Sequence, residues 1–280
     1  MTRENSKIGT GDSMNIYIDL TNRFNKGRLR AVLSSGQAVV LHRLAIMSKD
    51  GDWIIKEDEE CLEHILYVLN DNGARYRFGA PLDKRWLAGG WSSHFEFTKE
   101  NIRVRTDFVS RPPRIDATRL AGMWAEQEKR ELPFVDCPDL AELKKTNREK
   151  DYAIIGELSR KMALLEDRVR YSRSAREILG MYQNTPTLVS DILRKRGIEE
   201  SALTTIETIE IALDAERRRL MHANECRLER YSFAAEKWAE IWKGLEKETV
   251  GLSLVKANAI IVKRAEEILP FTLSARNEYE

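Results

Sequence analysis

The spacing of apolar residues changes partway along this 280-residue chain. Up to about residue 165, segments with apolar residues three or four apart alternate with short segments in which apolar and polar residues take turns. The first spacing is typical of an amphipathic helix, and strict alternation is typical of a strand with one buried face. Beyond residue 165 only the helical spacing continues. The pattern predicts an α+β half followed by an all-α half.

Helical spacing is clearest at 59–69, where Leu62, Ile65, Leu66 and Leu69 lie on one face. Near-helical spacing also covers 29–47, which the polar residues 49–52 end. Further helices are predicted over the segments 81–88, 116–129, 136–147, 149–165, 204–247 and 252–269.

Strand patterns occur at four places, and we expect them to form one sheet: 75–79, 93–98, 102–109 and 132–135. A polar turn joins the second and third strands into a hairpin. The predicted organisation is a disordered leader (1–13), an N-terminal helical segment (14–58), a small mixed-sheet domain (59–165) and a helical domain (166–280).

Composition narrows the class of protein. Hydrophobic residues make up 42% and charged residues 32% of the chain, which is typical of a globular protein with charged helices. The net charge of +1 excludes a global field that would attract nucleic acid or a membrane. No apolar run is long enough to span a bilayer, and no signal core is present. Three cysteines without a metal-type motif predict reduced thiols and a cytoplasmic location.

Candidate metal ligands lie on the predicted hairpin. His94 and Glu96 are two residues apart and therefore project together, and Asp107 on the partner strand can lie beside them. Carboxylates are the ligands that hold cations in phosphoryl-transfer sites, whereas imidazole suits zinc, manganese or iron better than magnesium. The alternatives are a hydrogen-bonded structural histidine, a solvent-facing glutamate and an aspartate paired with a neighbouring arginine.

Candidate phosphate-binding residues surround that hairpin. Arg103 and Arg105 share a strand face with Asp107, and guanidinium groups bind phosphates in a bidentate manner. The alternative is a solvated face with local ion pairs. Ser92 and Ser93 follow a glycine pair whose backbone can approach an anion.

Together these residues resemble the nucleotidyltransferase superfamily, which has a DNA-polymerase-beta-like fold. In that family a glycine turn, a short helix, a strand with Asp-x-Asp or Asp-x-Glu and a later strand with a third carboxylate follow one another. The matching features here are Gly79-Ala80, the segment 81–88, His94-Phe95-Glu96 and Asp107. His94 departs from the family pattern, so the first metal-ligand position is degenerate.

A second match lies at 132–158. This segment is similar to bacterial abortive-infection-type nucleotidyltransferase-like proteins, in which a helix ending in lysine precedes an Arg-x-Lys-Asp turn. Here the matching residues are Lys144, Arg148, Lys150 and Asp151. The two matches together cover roughly residues 60–165.

The resemblance implies an α+β nucleotidyltransferase-like domain and a metal-dependent transfer of a nucleotide from an NTP to a small molecule, a protein or RNA. It implies that Mg²⁺ or Mn²⁺ is held by His94, Glu96 and Asp107, with His94 as ligand or base. The implied nucleotide-binding residues are Gly79, Ser92, Ser93, Arg103, Arg105, Lys144 and Lys150.

Two other functions stay open from the sequence. One is a catalytically degenerate module that binds a ligand or partner through its helical half. The other is a purely structural helical interaction protein. The apolar stripe around Trp238 and Trp242 must be buried, either among the C-terminal helices or in a homodimer interface.

Overall fold

The computed structural model describes residues 15–273, so the leader predicted at 1–13 lies outside the described residues. Helices and strands alternate in the first half, and helices follow. In order they are α1 (Ile16–Phe24), β1 (Ala31–Ser34), α2 (Ser35–Leu41), β2 (Asp50–Ile55), α3 (Glu59–Asp71), β3 (Arg75–Tyr76), α4 (Lys84–Ala88), β4 (Ser93–Lys99), β5 (Ile102–Val109), α5 (Ala117–Gln127), α6 (Cys137–Leu143), α7 (Glu149–Arg160), α8 (Leu165–Tyr171), α9 (Ala175–Asn184), α10 (Pro186–Lys195), a 3-10 turn (Glu200–Ala202), α11 (Ile206–Ala234), α12 (Glu236–Thr249) and α13 (Leu254–Ile268).

The five strands form one mixed sheet in the order β1-β2-β5-β4-β3. The central strand, β5, runs parallel to β2 and antiparallel to β4, and both edge pairs are antiparallel. A strand–helix–strand unit therefore flanks β5 on each side. We call β1–α2–β2 the first unit and β3–α4–β4 the second unit. The α+β class with a helical C-terminal half is confirmed.

The prediction of a helical segment at 14–58 is wrong, because this segment supplies β1 and β2. All four residues of β1 are buried. A strand buried on both faces has a continuous apolar run, which periodicity alone cannot separate from a buried helix. The polar residues from Asp50 to Asp52 begin β2 rather than ending a helix.

Other predicted elements need smaller corrections. The hairpin strands are confirmed, whereas the strand predicted at 75–79 is only two residues long. The strand predicted at 132–135 is a single bridge between Phe134 and Leu33. The helix predicted at 204–247 is divided near Ala235 into α11 and α12. No strand occurs between residues 175 and 270, all of which the structure describes.

The end of the helical half packs on the sheet. Trp238 and Trp242 are buried in one cluster with Trp53, Trp86 and Phe108, so the predicted apolar stripe is buried within the chain. The Trp238 indole also donates a hydrogen bond to the Gly79 carbonyl at 2.9 Å. A second cluster, under α2 and α5–α7, covers the other face, and a third joins α8–α11. No helix within 15–273 is long and apolar enough to cross a membrane.

Candidate active site

Two rows of polar residues run across the middle three strands. In the first row, Asp107 on β5 is the register partner of both Asp52 on β2 and His94 on β4. In the second row, Arg105 lies in register between Asp50 and Glu96. Residues two apart on a strand project to one face, so both rows share a face of the sheet.

The turn between β1 and α2 shapes the first unit around its two aspartates. Ser35 has a left-handed backbone with φ 48°, a conformation that usually favours glycine. At Gly36, a Cβ atom would lie 2.2 Å from the Ser48 hydroxyl oxygen, so a side chain would collide with the segment that enters β2. The Gln37 amide fixes the same segment by donating to the Ser48 carbonyl at 3.0 Å. The turn and the start of β2 are therefore closely packed.

A cleft of about 410 Å³ opens at this turn. Asp50, Asp52 and Asp107 line it, and the α6–α7 connection and the first turn of α7 contribute three cationic residues, Lys144, Arg148 and Lys150. A smaller cavity of about 140 Å³ shares Asp52, Asp107 and Lys144 with the cleft and is otherwise lined largely by apolar residues, including two prolines.

The negative charges of the carboxylates in the cleft are only partly compensated by nearby cations and hydrogen bonds. Burial, followed by the negative charge of Asp107, raises the pKa of Asp52 to about 6 even though Asp52 keeps partial exposure toward the cleft. Lys144 opposes this rise. The Oδ1 atom of Asp50 is buried without a hydrogen bond, and its nearest cation, the Arg105 guanidinium, is 3.5 Å away.

Lys144 is the most enclosed cation of the cleft, with only 6% of its surface exposed. Burial lowers its pKa, and Asp151, whose carboxylate lies 3.6 Å from the ammonium group, opposes this change. Asp151 is itself held by the Thr146 hydroxyl at 2.6 Å and by Arg148 at 2.9 Å. The lysine is thus held beside the aspartates by a supported partner.

His94 contacts Asp107 but does not line the cleft. Its Nδ1 lies 2.7 Å from Asp107 Oδ1, and its Nε2 lies 2.8 Å from the Ser92 hydroxyl. Arg77 donates to the same Asp107 oxygen at 3.1 Å. At Gly79, a Cβ atom would lie 2.4 Å from His94 Cδ2, so this glycine makes room for the imidazole ring.

Glu96 lies on the same face but is occupied by arginines. Arg103 donates to it at 2.8 Å and Arg75 at 2.7 Å. Burial alone raises the pKa of Glu96, but these two arginines outweigh burial and lower the pKa overall. Within residues 15–273, no group of three or more His, Cys, Asp or Glu side chains stands so that it could hold a metal ion, and this holds both for the predicted group of the second unit and for Asp50, Asp52 and Asp107. The predicted metal group of His94, Glu96 and Asp107 is therefore not assembled.

The remaining predicted residues separate into two groups. Lys144 and Lys150 line the cleft with Asp107. Ser93 is buried with its hydroxyl unpaired, and Arg103 is bound to Glu96, so neither lies at the cleft. The sequence interpretation missed Asp50 and Asp52. The signal for them was an Asp-x-Asp pair that precedes the apolar run 53–55 and follows a Ser-Ser-Gly turn.

No protein-family model matches this chain, and no curated protein matches it. A solved crystal structure from H. pylori, described as a "putative nucleotidyltransferase", is similar over 75% of this chain and 95% of that chain, with 12% identity and a TM-score of 0.36. A likeness of this extent says nothing about activity.

Proposed function

We propose that this chain transfers a nucleotide from an NTP in a metal-dependent reaction at the cleft of Asp50, Asp52 and Asp107. The observation that carries the proposal is the pairing of Asp52 with Asp107 on adjacent parallel strands, opposite cationic residues. The turn–helix–strand order of the family resemblance fits the first unit, with Ser35-Gly36 as the turn and Asp50-Gly51-Asp52 as the carboxylate pair. A strongly perturbed carboxylate in a cleft is also a general indicator of a functional site.

The chemistry of the carboxylates suits a hard divalent cation. Mg²⁺ and Mn²⁺ prefer carboxylate oxygens, and the buried Oδ1 of Asp50 accepts no hydrogen bond among the described residues and only faces the Arg105 guanidinium at 3.5 Å. The charge of such a cation would also relieve the repulsion between Asp52 and Asp107. Since Asp50 leans toward Arg105, we expect this side chain to turn when a cation binds. When bound, the cation supplies positive charge that stabilises phosphoryl oxygens.

The cationic wall of the cleft suits the phosphates of an NTP. Lys144 is held close to the aspartates, while Arg148 and Lys150 are exposed at the rim. In the proposed reaction, an acceptor hydroxyl releases its proton to solvent and forms a bond to the α-phosphorus, the bond from that phosphorus to the bridging oxygen of the β-phosphate breaks, and pyrophosphate leaves. These cations would bind and orient the triphosphate, and they would offset the charge that develops on the leaving group.

A degenerate binding module is the alternative function. His94 in place of a carboxylate was the reason to consider it. In the proposed site, the first-ligand position belongs to Asp50, so three carboxylates are present and that reason no longer applies. The placement of His94 on the far side of Asp107 supports an active enzyme over the degenerate module.

The test is transfer of an α-³²P label from each of the four NTPs, with Mg²⁺ or Mn²⁺, to pooled RNA, to small hydroxyl compounds or to the protein itself. Release of pyrophosphate is measured in parallel. We expect label transfer by the wild-type protein and none by Asp52→Asn. Asp191→Asn is the matched control, since Asp191 is an exposed carboxylate paired with Arg194 on α10.

A thermal-shift assay with each NTP and metal measures binding directly, so this test does not require a suitable acceptor. Metal-dependent stabilisation of the wild type, lost in Asp52→Asn, supports the proposed site. Stabilisation that does not depend on the metal or on Asp52, without pyrophosphate release, would favour the degenerate module instead.

A further inference from the structure

We infer that His94 is a positioning residue that holds Asp107 so that its second carboxylate oxygen faces the cleft. The inference rests on the proposed function, because it assigns Asp107 to the cation. It differs from the role that the resemblance implies for His94, which is that of a metal ligand or base.

The hydrogen bonds determine which ring nitrogen carries the proton. The Asp107 carboxylate can only accept, so the Nδ1 atom of His94, at 2.7 Å, donates to it. In the neutral ring Nε2 then accepts from the Ser92 hydroxyl at 2.8 Å. Both nitrogens are therefore occupied, and the ring has no lone pair left for a metal ion. Ligation of a metal through Nε2 would require the bond to Ser92 to break.

The two hydrogen bonds to Asp107 also reach the same carboxylate oxygen. His94 and Arg77 both donate to Oδ1, which leaves Oδ2 without a hydrogen bond among the described residues. Asp52 lies beside Asp107 on the neighbouring strand, and the two carboxylates repel each other. His94 and Arg77 bind Asp107 from the side away from Asp52 and only through Oδ1, so they fix the rotation of the carboxylate and leave Oδ2 available.

The position of the ring is itself fixed by packing. The imidazole lies against Gly79, where any side chain would collide with it. The Arg77 amide donates to the His94 carbonyl at 2.9 Å, which ties the segment between β3 and Gly79 to β4. Outer-shell partners of this kind commonly affect metal affinity by about 10–100-fold.

The test compares Mn²⁺ affinity, measured from the EPR signal of free Mn²⁺, for the wild type, His94→Leu and His94→Asn. An asparagine amide can replace the Nδ1–H donor, whereas leucine cannot. We expect His94→Leu to weaken Mn²⁺ binding about 10–100-fold and His94→Asn to stay within about threefold of the wild type. Melting temperatures check that each variant is folded.

Two further measurements separate this inference from the proposed function. In metal-free protein, ¹H–¹⁵N NMR should show a hydrogen-bonded Nδ1–H of His94 whose signal shifts in Asp107→Asn. Asp52→Asn should lose Mn²⁺ binding. If Asp52→Asn loses binding but His94→Leu binds like the wild type, the positioning inference is overturned and the proposed function stands. If the wild type binds no Mn²⁺ while the NMR bond is present, the proposed metal site is overturned and the inference with it.

Discussion

The two strand–helix–strand units on either side of β5 place carboxylates on the same face of the sheet. The negative charge of these carboxylates is compensated differently in the two units. In the second unit, Glu96 is bound by two arginines and its pKa is lowered. In the first unit, Asp52 has no bound arginine, and burial together with Asp107 raises its pKa. Asp107 lies between the units and contacts both.

This difference is our reason for placing the proposed chemistry in the first unit. A carboxylate whose charge is already matched by arginines gains little from a cation. A carboxylate that is kept charged only at a cost gains a great deal from one. The second unit therefore stabilises the sheet, whereas the first unit and Asp107 provide the site that we propose for the cation.

The largest expected effect is a difference in kcat/KM between a substitution in the first unit and one in the second unit. Asp50→Asn should lower kcat/KM for nucleotide transfer on the order of a thousandfold, because it removes a charge that holds the cation. Glu96→Gln should stay within about threefold of the wild type, since Glu96 does not line the cleft. Initial rates of pyrophosphate release measure both. Equal losses in the two variants would remove the distinction between the units.

A smaller effect concerns the cationic residues of the cleft, Lys144, Arg148 and Lys150. Lys144→Met should raise KM for the NTP about 10–100-fold, because a charge-assisted bond to phosphate is lost. Lys145→Met is the matched control, since the neighbouring lysine is bound to Glu142 at 2.8 Å and does not line the cleft. Steady-state kinetics at saturating metal compare the two. If Lys145→Met has the larger effect, the assignment of Lys144 to the phosphates is incorrect.

The last prediction concerns the free energy of unfolding and its dependence on pH. The pKa of Asp52 is about 6 in the folded protein, above its ordinary value of 3.8. Its contribution to stability is therefore fully present below about pH 3.8 and is lost as the pH rises to about 6. Asp52→Asn does not ionise, so we expect its free energy of unfolding relative to the wild type to rise across this window by about 3 kcal/mol.

Urea unfolding of metal-free protein at several pH values measures that change. Asp191→Asn, which alters an exposed ion pair, should show no comparable change across the window. A flat difference for Asp52→Asn as well would mean that Asp52 is not destabilised by its surroundings.

The sequence predicts the second unit better than the first for physical reasons. The hairpin of β4 and β5 has one buried face, so its apolar residues alternate and Asp107 is placed correctly. β1 is buried on both faces and followed at once by α2, so the two elements together resemble one helix. Because β1 is not recognised as a strand, Gly36 is interpreted as a break within a predicted helix, and Asp50-Gly51-Asp52 is interpreted as the end of that helix.

The resemblance was matched to the second unit, whereas our proposal places it on the first, because both units have the order strand, glycine-containing turn, helix and strand. The Asp50-Gly51-Asp52 pair is a local difference between them, but its place beside Asp107 depends on the parallel register of β2 with β5. The ion pairs of Glu96 also depend on side-chain positions on three strands. The packing of Trp238 against the sheet joins residues more than 150 positions apart, beyond the reach of periodicity.

The central claim is that the cation and nucleotide bind at the aspartates of the first unit and not at Glu96. Isothermal titration calorimetry of Mn²⁺ with a non-hydrolysable NTP analogue tests it most directly, on the wild type, Asp52→Asn and Glu96→Gln. We predict that the wild type and Glu96→Gln bind the complex with dissociation constants within about threefold of each other, and that Asp52→Asn gives no binding heat. Retained binding by Asp52→Asn together with loss in Glu96→Gln would contradict the account.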